Sequence, residues 1–354
     1  MKTLPCEHTP VEMAARLPGP RKVWSGPLPT DPLELALEYK LGFDDVSDLQ
    51  GELCFLCTDT AERKFNAEDA KVLADAMIAQ GPCEVEYIFF QNSKIGDQGL
   101  EAVAKAMAAG ATPKLLTVDF TNILATDAGF MHLLGAIKHC PNLRDLVFKQ
   151  NSLTDAAFSA LHEVIKRGEW PAMERLNLAG TQSERHTISD ASFVPFGHDL
   201  ADGVIRTTRL EEIELSDTDI SDAGLAAVAL AIQRGHVRKL RSLYMQACHI
   251  TDEGARALAD ALRANKRTQL FDIRLGYQNS HDAMAPRVTA EGGKAAIEAA
   301  GESLDRKVFC VLHPLEEHRS REGVGKARSP TDQALMLDLS SEGMCLHRGR
   351  VLKK

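Results

Sequence analysis

The chain has 354 residues, of which 44% are hydrophobic and 26% charged, and it carries a formal net charge of −9. That length and hydrophobic content suffice for one or two cored domains. The acidic balance argues against nucleic acid as the main partner, because phosphate binding needs a concentrated basic surface, although a local basic patch can survive an acidic average. No apolar run reaches the roughly 18–20 residues needed to span a bilayer, so membrane insertion is not expected.

Residues 1–48 read as an extended arm followed by a capping helix. Met1 to Pro20 lacks an apolar core segment and mixes Glu7 and Glu12 with few basic residues, unlike a signal peptide or a presequence. Leu17–Pro20 and Gly26–Pro29 are proline-rich and read as extended chain. Asp31, Pro32 and Glu34 have the order of an N-cap, a first-turn proline and a capping-box acid, with a helix to about Leu41. The eight cysteines are scattered rather than clustered, which suits reduced thiols in a cytoplasmic compartment.

Residues 49–312 repeat. Segments starting at Val85, Leu115, Leu143, Met173, Leu210, Leu240 and Leu270 carry apolar residues at places one, four, six and eleven. The unit from Leu210 shows it through Ile213, Leu215 and Ile220, and the unit from Leu240 repeats it 30 residues later. A weaker early unit uses Leu53, Phe55 and Thr58, and a last strand uses Val308 and Cys310. Alternation at places four and six predicts a short strand with one buried face.

Place nine holds a small or polar residue (Asn151, Thr181, Thr218, Cys248) able to bond backbone groups where the strand ends. Place thirteen or its equivalent holds aspartate (Asp97, Asp127, Asp155, Asp190, Asp222, Asp252), expected to be the N-cap of a following helix. The helices show apolar pairs such as Val103 and Met107 or Leu258 and Leu262. The predicted architecture is therefore an α/β solenoid of about eight strand–helix units. Parallel strands line the concave side and helices the convex side, because strands pack closer together than helices.

This pattern, with the lead-in His139–Leu143, resembles the ribonuclease-inhibitor-like subgroup of leucine-rich repeats over roughly Leu49 to Phe309. The resemblance implies a non-catalytic interaction or scaffold protein. Relatives of this repeat type include inhibitors and cytoskeletal or ciliary assembly components, which implies protein partners in a larger eukaryotic assembly. The resemblance also allows an alternative, a GTPase-activating protein similar to the Ran regulators. Such regulators usually have an acidic tail, whereas this chain ends in Arg348, Arg350, Lys353 and Lys354. Residues 313–354 read as a charged extension, either a solvated terminus or a docking arm that orders on binding.

Places three, five and seven should face the concave side. That assigns partner contacts to Tyr87, Phe89, Asp119, Asp145, Lys149, Arg175, Glu212, Glu214, Tyr244 and Arg274. Tyr87 and Phe89 are either partner anchors or covered by the N-terminal arm. Three units carry insertions near Thr60–Lys64, Ser183–Thr187 and Ser280–Arg287, each with a basic residue: Arg63, Arg185 and Arg287. Equivalent insertion points map to one rim and form a second expected contact edge.

Catalytic signals are thin. Cys54-Phe-Leu-Cys57 has no second pair at zinc spacing, and Gly323-Val-Gly325-Lys326 lacks the upstream glycine of a phosphate loop. The twelve histidines are dispersed. No enzymatic activity, metal, cofactor or small-molecule substrate is expected.

Overall fold

The structure, a computed structural model, describes residues 52–54, 65–83, 85–180, 187–205, 209–276, 288–302 and 308–311. The expected N-terminal arm and capping helix lie outside the described residues. So do Cys57, the Gly323–Lys326 segment and the charged extension.

Among the described residues, nine strands alternate with eight helices. In chain order these are β1 (Glu52–Cys54), α1 (Ala67–Gln80), β2 (Tyr87–Phe89), α2 (Gly96–Ala108), β3 (Thr117–Asp119) and α3 (Asp127–Ile137). Then come β4 (Asp145–Val147), α4 (Asp155–Lys166), β5 (Arg175–Asn177), α5 (Asp190–Ala201), β6 (Glu212–Glu214) and α6 (Asp222–Arg234). The series ends with β7 (Ser242–Tyr244), α7 (Asp252–Ala264), β8 (Asp272–Arg274), α8 (Ala295–Glu302) and β9 (Phe309–Val311). One π-helical turn, Ala290–Lys294, leads into α8.

The strands form one parallel sheet in chain order, in constant register. The central row runs through Ile88, Val118, Leu146, Leu176, Ile213, Leu243, Ile273 and Cys310, all buried. Place six forms a second buried row. Its N-terminal part is aromatic: ring centroids of Phe90 and Phe120 lie 5.8 Å apart and those of Phe120 and Phe148 6.2 Å, while Phe65, from the segment leading into α1, stacks on Phe90 at 5.2 Å. Toward the other end Leu178, Leu215, Met245 and Leu275 continue the row. The helix pairs expected from periodicity, including Val103/Met107 and Leu258/Leu262, pack against these rows. Strands spaced ~4.8 Å apart cannot match helices ~8–10 Å apart without bending, so the sheet lies inside the curve.

Each strand stops for a conformational reason. Place eight is left-handed in six consecutive units: Asn92, Asn122, Gln150, Gly180, Asp217 and Ala247 all have positive φ. This turn ends the strand and directs place nine inward. There Asn151 accepts from Ile123 N and Ala125 N, each at 3.2 Å, and its amide donates to the carbonyls of Phe120, Phe148 and Lys149. Thr218 and Cys248 each donate to Leu215 O from the same place.

The repeated aspartate does not cap its own helix. The N-caps are the preceding residues Thr126, Thr154, Ser189, Ser221 and Thr251, whose hydroxyls accept the N–H two residues on. The aspartate instead reaches the N-cap of the next unit. Asp97 accepts from Thr126 N and Oγ1, both at 2.7 Å, and from Gly129 N at 3.1 Å. Asp127 accepts from Thr154, Asp155 from Ser189, Asp190 from Ser221, Asp222 from Thr251 and Asp252 from Thr289. Each hydroxyl thus donates to one unit's carboxylate while accepting from its own helix. In the first described unit Ala67 stands at the aspartate position, and Gly96, the first residue of α2, stands where later units have the Ser or Thr cap, so the ladder starts one unit later.

Candidate functional site

The concave face is made by the two residues flanking the buried row in each strand. Register places Phe89, Asp119, Val147, Asn177, Glu214, Tyr244, Arg274 and Val311 in one column. A parallel column holds Tyr87, Thr117, Asp145, Arg175, Glu212, Ser242, Asp272 and Phe309. Every strand residue named from the sequence as a partner contact lies in these columns, and Lys149 follows β4. Neighbours on one strand diverge to opposite faces, so the columns come from alternation alone.

The columns resolve into three chemically distinct stretches. At the N-terminal end the Tyr87 and Phe89 rings stack with centroids 6.1 Å apart, both half-buried. The middle is acidic and internally bonded. Asp119 is 9% exposed rather than freely presented, and it accepts from Thr121 N at 2.9 Å, from Thr121 Oγ1 at 2.6 Å and from Gln91 Nε2. Asp145 is 5% exposed because Arg175 covers it, its Nε and Nη2 bonding the two carboxylate oxygens at 2.7 and 2.6 Å. Thr117 Oγ1 adds a third bond at 2.8 Å. This two-pronged ion pair holds Arg175 flat along the sheet and keeps it cationic.

Burial pushes the carboxyls of Asp119, Glu212 and Glu214 above the usual carboxylate range. Bonds from Thr121 and Gln91 partly offset this at Asp119, and the nearby Arg175 does so at Glu212. Ser216 N donates to Glu214 Oε1 at 3.0 Å and partly offsets it there. Lys149 is half-buried beside this tract, and its charge favours ionised Asp119 and Glu214.

At the C-terminal end Tyr244 donates to Asp272 Oδ2 at 2.6 Å while the Arg274 guanidinium lies 4.3 Å from the Tyr244 ring centroid. Burial, then the bond to Asp272, raises the Tyr244 phenol well above its ordinary range, so it stays a neutral donor. Arg274 Nη2 also reaches Asp272 Oδ2 at 3.2 Å. Beyond it β9 adds Phe309, 56% exposed, and Val311, 39% exposed. Sequence reading used Val308 and Cys310 of this strand as core, and both are buried. It overlooked the outward residues Phe309 and Val311 on either side of Cys310, although period-two alternation contains that signal.

The rim residues Arg63, Arg185 and Arg287 lie outside the described residues. No group of three His, Cys, Asp or Glu residues able to hold a metal occurs among the described residues, and no described helix is long and apolar enough to cross a membrane. Cys83, Cys140, Cys248 and Cys310 are buried thiols. Burial pushes the thiols of Cys248 and Cys310 up to about 12, which leaves them unreactive packing groups. His162 on α4 bonds Asp199 Oδ2 at 2.9 Å through Nε2, and Lys166 Nζ holds the same oxygen at 2.8 Å. The cluster ties α4 to α5 on the convex side.

A family model described as Leucine Rich repeat matches residues 208–229 and 236–259. The chain is 25% identical over 194 residues to a ribonuclease inhibitor of Sus scrofa, covering 54% of this chain and 39% of that one. It is 26% identical over 180 residues to a ribonuclease inhibitor of Mus musculus, covering 51% and 37%. The match therefore spans less than two fifths of the length of either relative. Among solved structures, Leiomodin-1 Actin-Binding Site 2 is similar at 18% identity and a TM-score of 0.33, covering 51% of this chain and 93% of that one. Leucine-rich-repeat proteins generally act by binding other proteins, and the ribonuclease-inhibitor kind are typically binding proteins rather than catalysts. With its unbroken series of strand–helix units and these relatives, the chain is a leucine-rich-repeat protein of the ribonuclease-inhibitor-like subgroup.

Proposed function

We propose that this protein is a non-catalytic scaffold subunit that seats a protein partner on its concave face, within a larger eukaryotic assembly. The observation that carries this reading is the tract of Asp119, Glu212 and Glu214, carboxylates drawn out of water on an open, rigid sheet. An acid in that setting is costly to ionise until a cation faces it, so the face is poised for lysine or arginine side chains of a partner. The aromatic pair Tyr87/Phe89 at one end and Tyr244 with Arg274 at the other supply anchors of the type that dominate protein interfaces.

The test is a pull-down of the tagged full chain from native extract with cross-linking mass spectrometry, beside Glu214→Arg and Tyr244→Ala variants. The expected result is a fixed set of proteins cross-linked through Lys149 and lost with either variant. Recovery unchanged by both variants would overturn the concave assignment. Recovery of a small GTPase alone would replace the scaffold with a GTPase regulator.

A further inference from the structure

The turns that follow α6 and α7 concentrate positive charge on the rim where helices hand over to strands. Arg238 and Lys239 lie in the first turn, Lys266 and Arg267 in the second, and all four are exposed. The turns are stacked on each other. Asn265 Nδ2 donates to Ile232 O, Arg241 Nε lies 3.5 Å from Gln269 Oε1, and Phe271 N donates to Arg241 O at 3.0 Å. Phe271, 42% exposed, thus stands at the edge of the same surface.

Helix ends do not account for all of these cations: Arg238 Nε donates to the carbonyl of Gly235, the cap of α6, at 3.1 Å, whereas no comparable bond ties down the side chains of Lys239, Lys266 or Arg267 among the described residues. A basic group in a last turn complements the partial negative charge there, and Arg234 and Arg263 already fill that role. Those two are also paired, with Asp202 and with Asp260. The four turn cations lie beyond the caps Gly235 and Asn265, and no ion pair with a described carboxylate engages them. Equivalent turns elsewhere carry less charge: Lys114 follows α2, His139-Cys140-Pro141-Asn142 follows α3, Gly168-Glu169-Trp170 follows α4, and the exposed Arg209 after α5 is paired with Glu174. Adjacent pairs of cations in this turn occur, among the described residues, in these two adjoining units, in a chain whose net charge is −9.

We propose that this patch docks an acidic segment of a protein partner that carries an apolar side chain among its carboxylates. Four separate cations match several spaced carboxylates, and the half-exposed Phe271 ring offers an apolar seat beside them. A nucleic acid fits less well. Its many phosphates would meet the acidic remainder of the chain, whereas the patch acts only within a screening length of about 8 Å at physiological salt. This surface is separate from the concave face, so its test stands apart from that of the scaffold reading.

The experiment is a fluorescence-anisotropy titration of the full chain with a labelled peptide of repeated Glu-Asp-Leu units, at rising salt. A Lys-Lys-Leu peptide and a short oligouridylate serve as comparison probes. Combined Arg238→Gln, Lys239→Gln, Lys266→Gln and Arg267→Gln should weaken the acidic peptide about tenfold, as four exposed charge pairs would. Combined Lys71→Gln and Lys138→Gln on other units should leave binding unchanged. Phe271→Ser should weaken it about threefold with the salt slope retained. Thermal melts that match the parent show that the variants fold. Equal binding by parent and fourfold variant, absent peptide binding, or tighter oligouridylate binding abolished by the same four changes would each overturn the proposal.

Discussion

Asp222 in one unit and Thr251 in the next are joined twice, Oδ1 accepting from the threonine N–H at 2.8 Å and Oδ2 from its hydroxyl at 2.6 Å, with Gly254 N adding a third bond at 3.0 Å. Bonds to a charged acceptor are the stronger kind, and losing this acceptor leaves a helix start unsatisfied. Asp222→Ala should lower stability by about 2 kcal/mol in urea unfolding. Because solenoid units are held mainly by their neighbours, hydrogen exchange should rise first in α6 and α7. A change of less than a few tenths of a kcal/mol would show that the ladder is ornamental.

The same ladder fixes an acid limit. Burial alone would raise Asp155 and Asp252, but the bonds they accept outweigh it and hold both carboxyls below the ordinary range. A depressed folded-state value means stabilisation present above the unfolded carboxyl value of about 3.9 and lost as pH falls through the folded one. Replacing Asp155 with Asn should therefore cost stability at neutral pH and little in strong acid. Thermal melts over that range read the difference directly.

Glycine at the third helical place lets consecutive helices approach. A Cβ on Gly254 would meet the Asp222 carboxylate, whereas one on Gly135 of α3 meets nothing within 4 Å. Gly254→Ala should destabilise by about 1–3 kcal/mol through overpacking. Gly135→Ala should stabilise by about 0.5–1 kcal/mol, since glycine mid-helix gives up more chain entropy. Chemical denaturation of the two variants side by side tests the contrast, and destabilisation of both would remove the steric account.

Glu214 sets binding against stability. Its raised carboxyl value means that its contribution favours the folded state below the unfolded value of about 4.3 and is lost as pH rises through the folded one. Glu214→Gln should then stabilise the free protein at neutral pH by up to about 1 kcal/mol. It should also weaken a cationic partner, whose binding in the parent strengthens with pH and releases protons. Calorimetry in buffers of different ionisation enthalpy detects that release, and pH-independent binding would rule it out.

The aromatic row gives a packing test. Phe120 is fully buried between Phe90 and Phe148. Phe120→Ala should cost about 3–5 kcal/mol, from lost burial plus the cavity left behind. Leu215, in the same row three units later, is also fully buried, and Leu215→Ala should cost about 2–5 kcal/mol.

The solenoid was legible because places one, four, six and eleven recur, and burial of Leu210, Ile213, Leu215 and Ile220 follows from that pattern alone. The role of the aspartates was not. Periodicity locates Asp222 within its own unit, but its bonding partner is 29 residues on. The available signal was pairing across units: aspartate appears before a Ser or Thr cap, and Ala67 precedes Gly96. The left-handed place eight was also readable, from Asn92, Asn122, Gly180 and Asp217. On the concave face the columns were foreseen, but not that Arg175 would cover Asp145, since spacing within a strand says nothing of side-chain reach across strands. The basic turns were hidden by a net charge that averages over the chain.

Because each aspartate grips the cap one unit ahead, the molecule has interchangeable joints. Excising residues 222–251 would set Ser221 directly before Asp252, with Asp190 still holding that serine and Asp252 still holding Thr289. Length can therefore change by a whole unit without a mismatched seam. Such a protein can be shortened or extended by duplication to suit the size of what it grips, while every junction keeps the same chemistry.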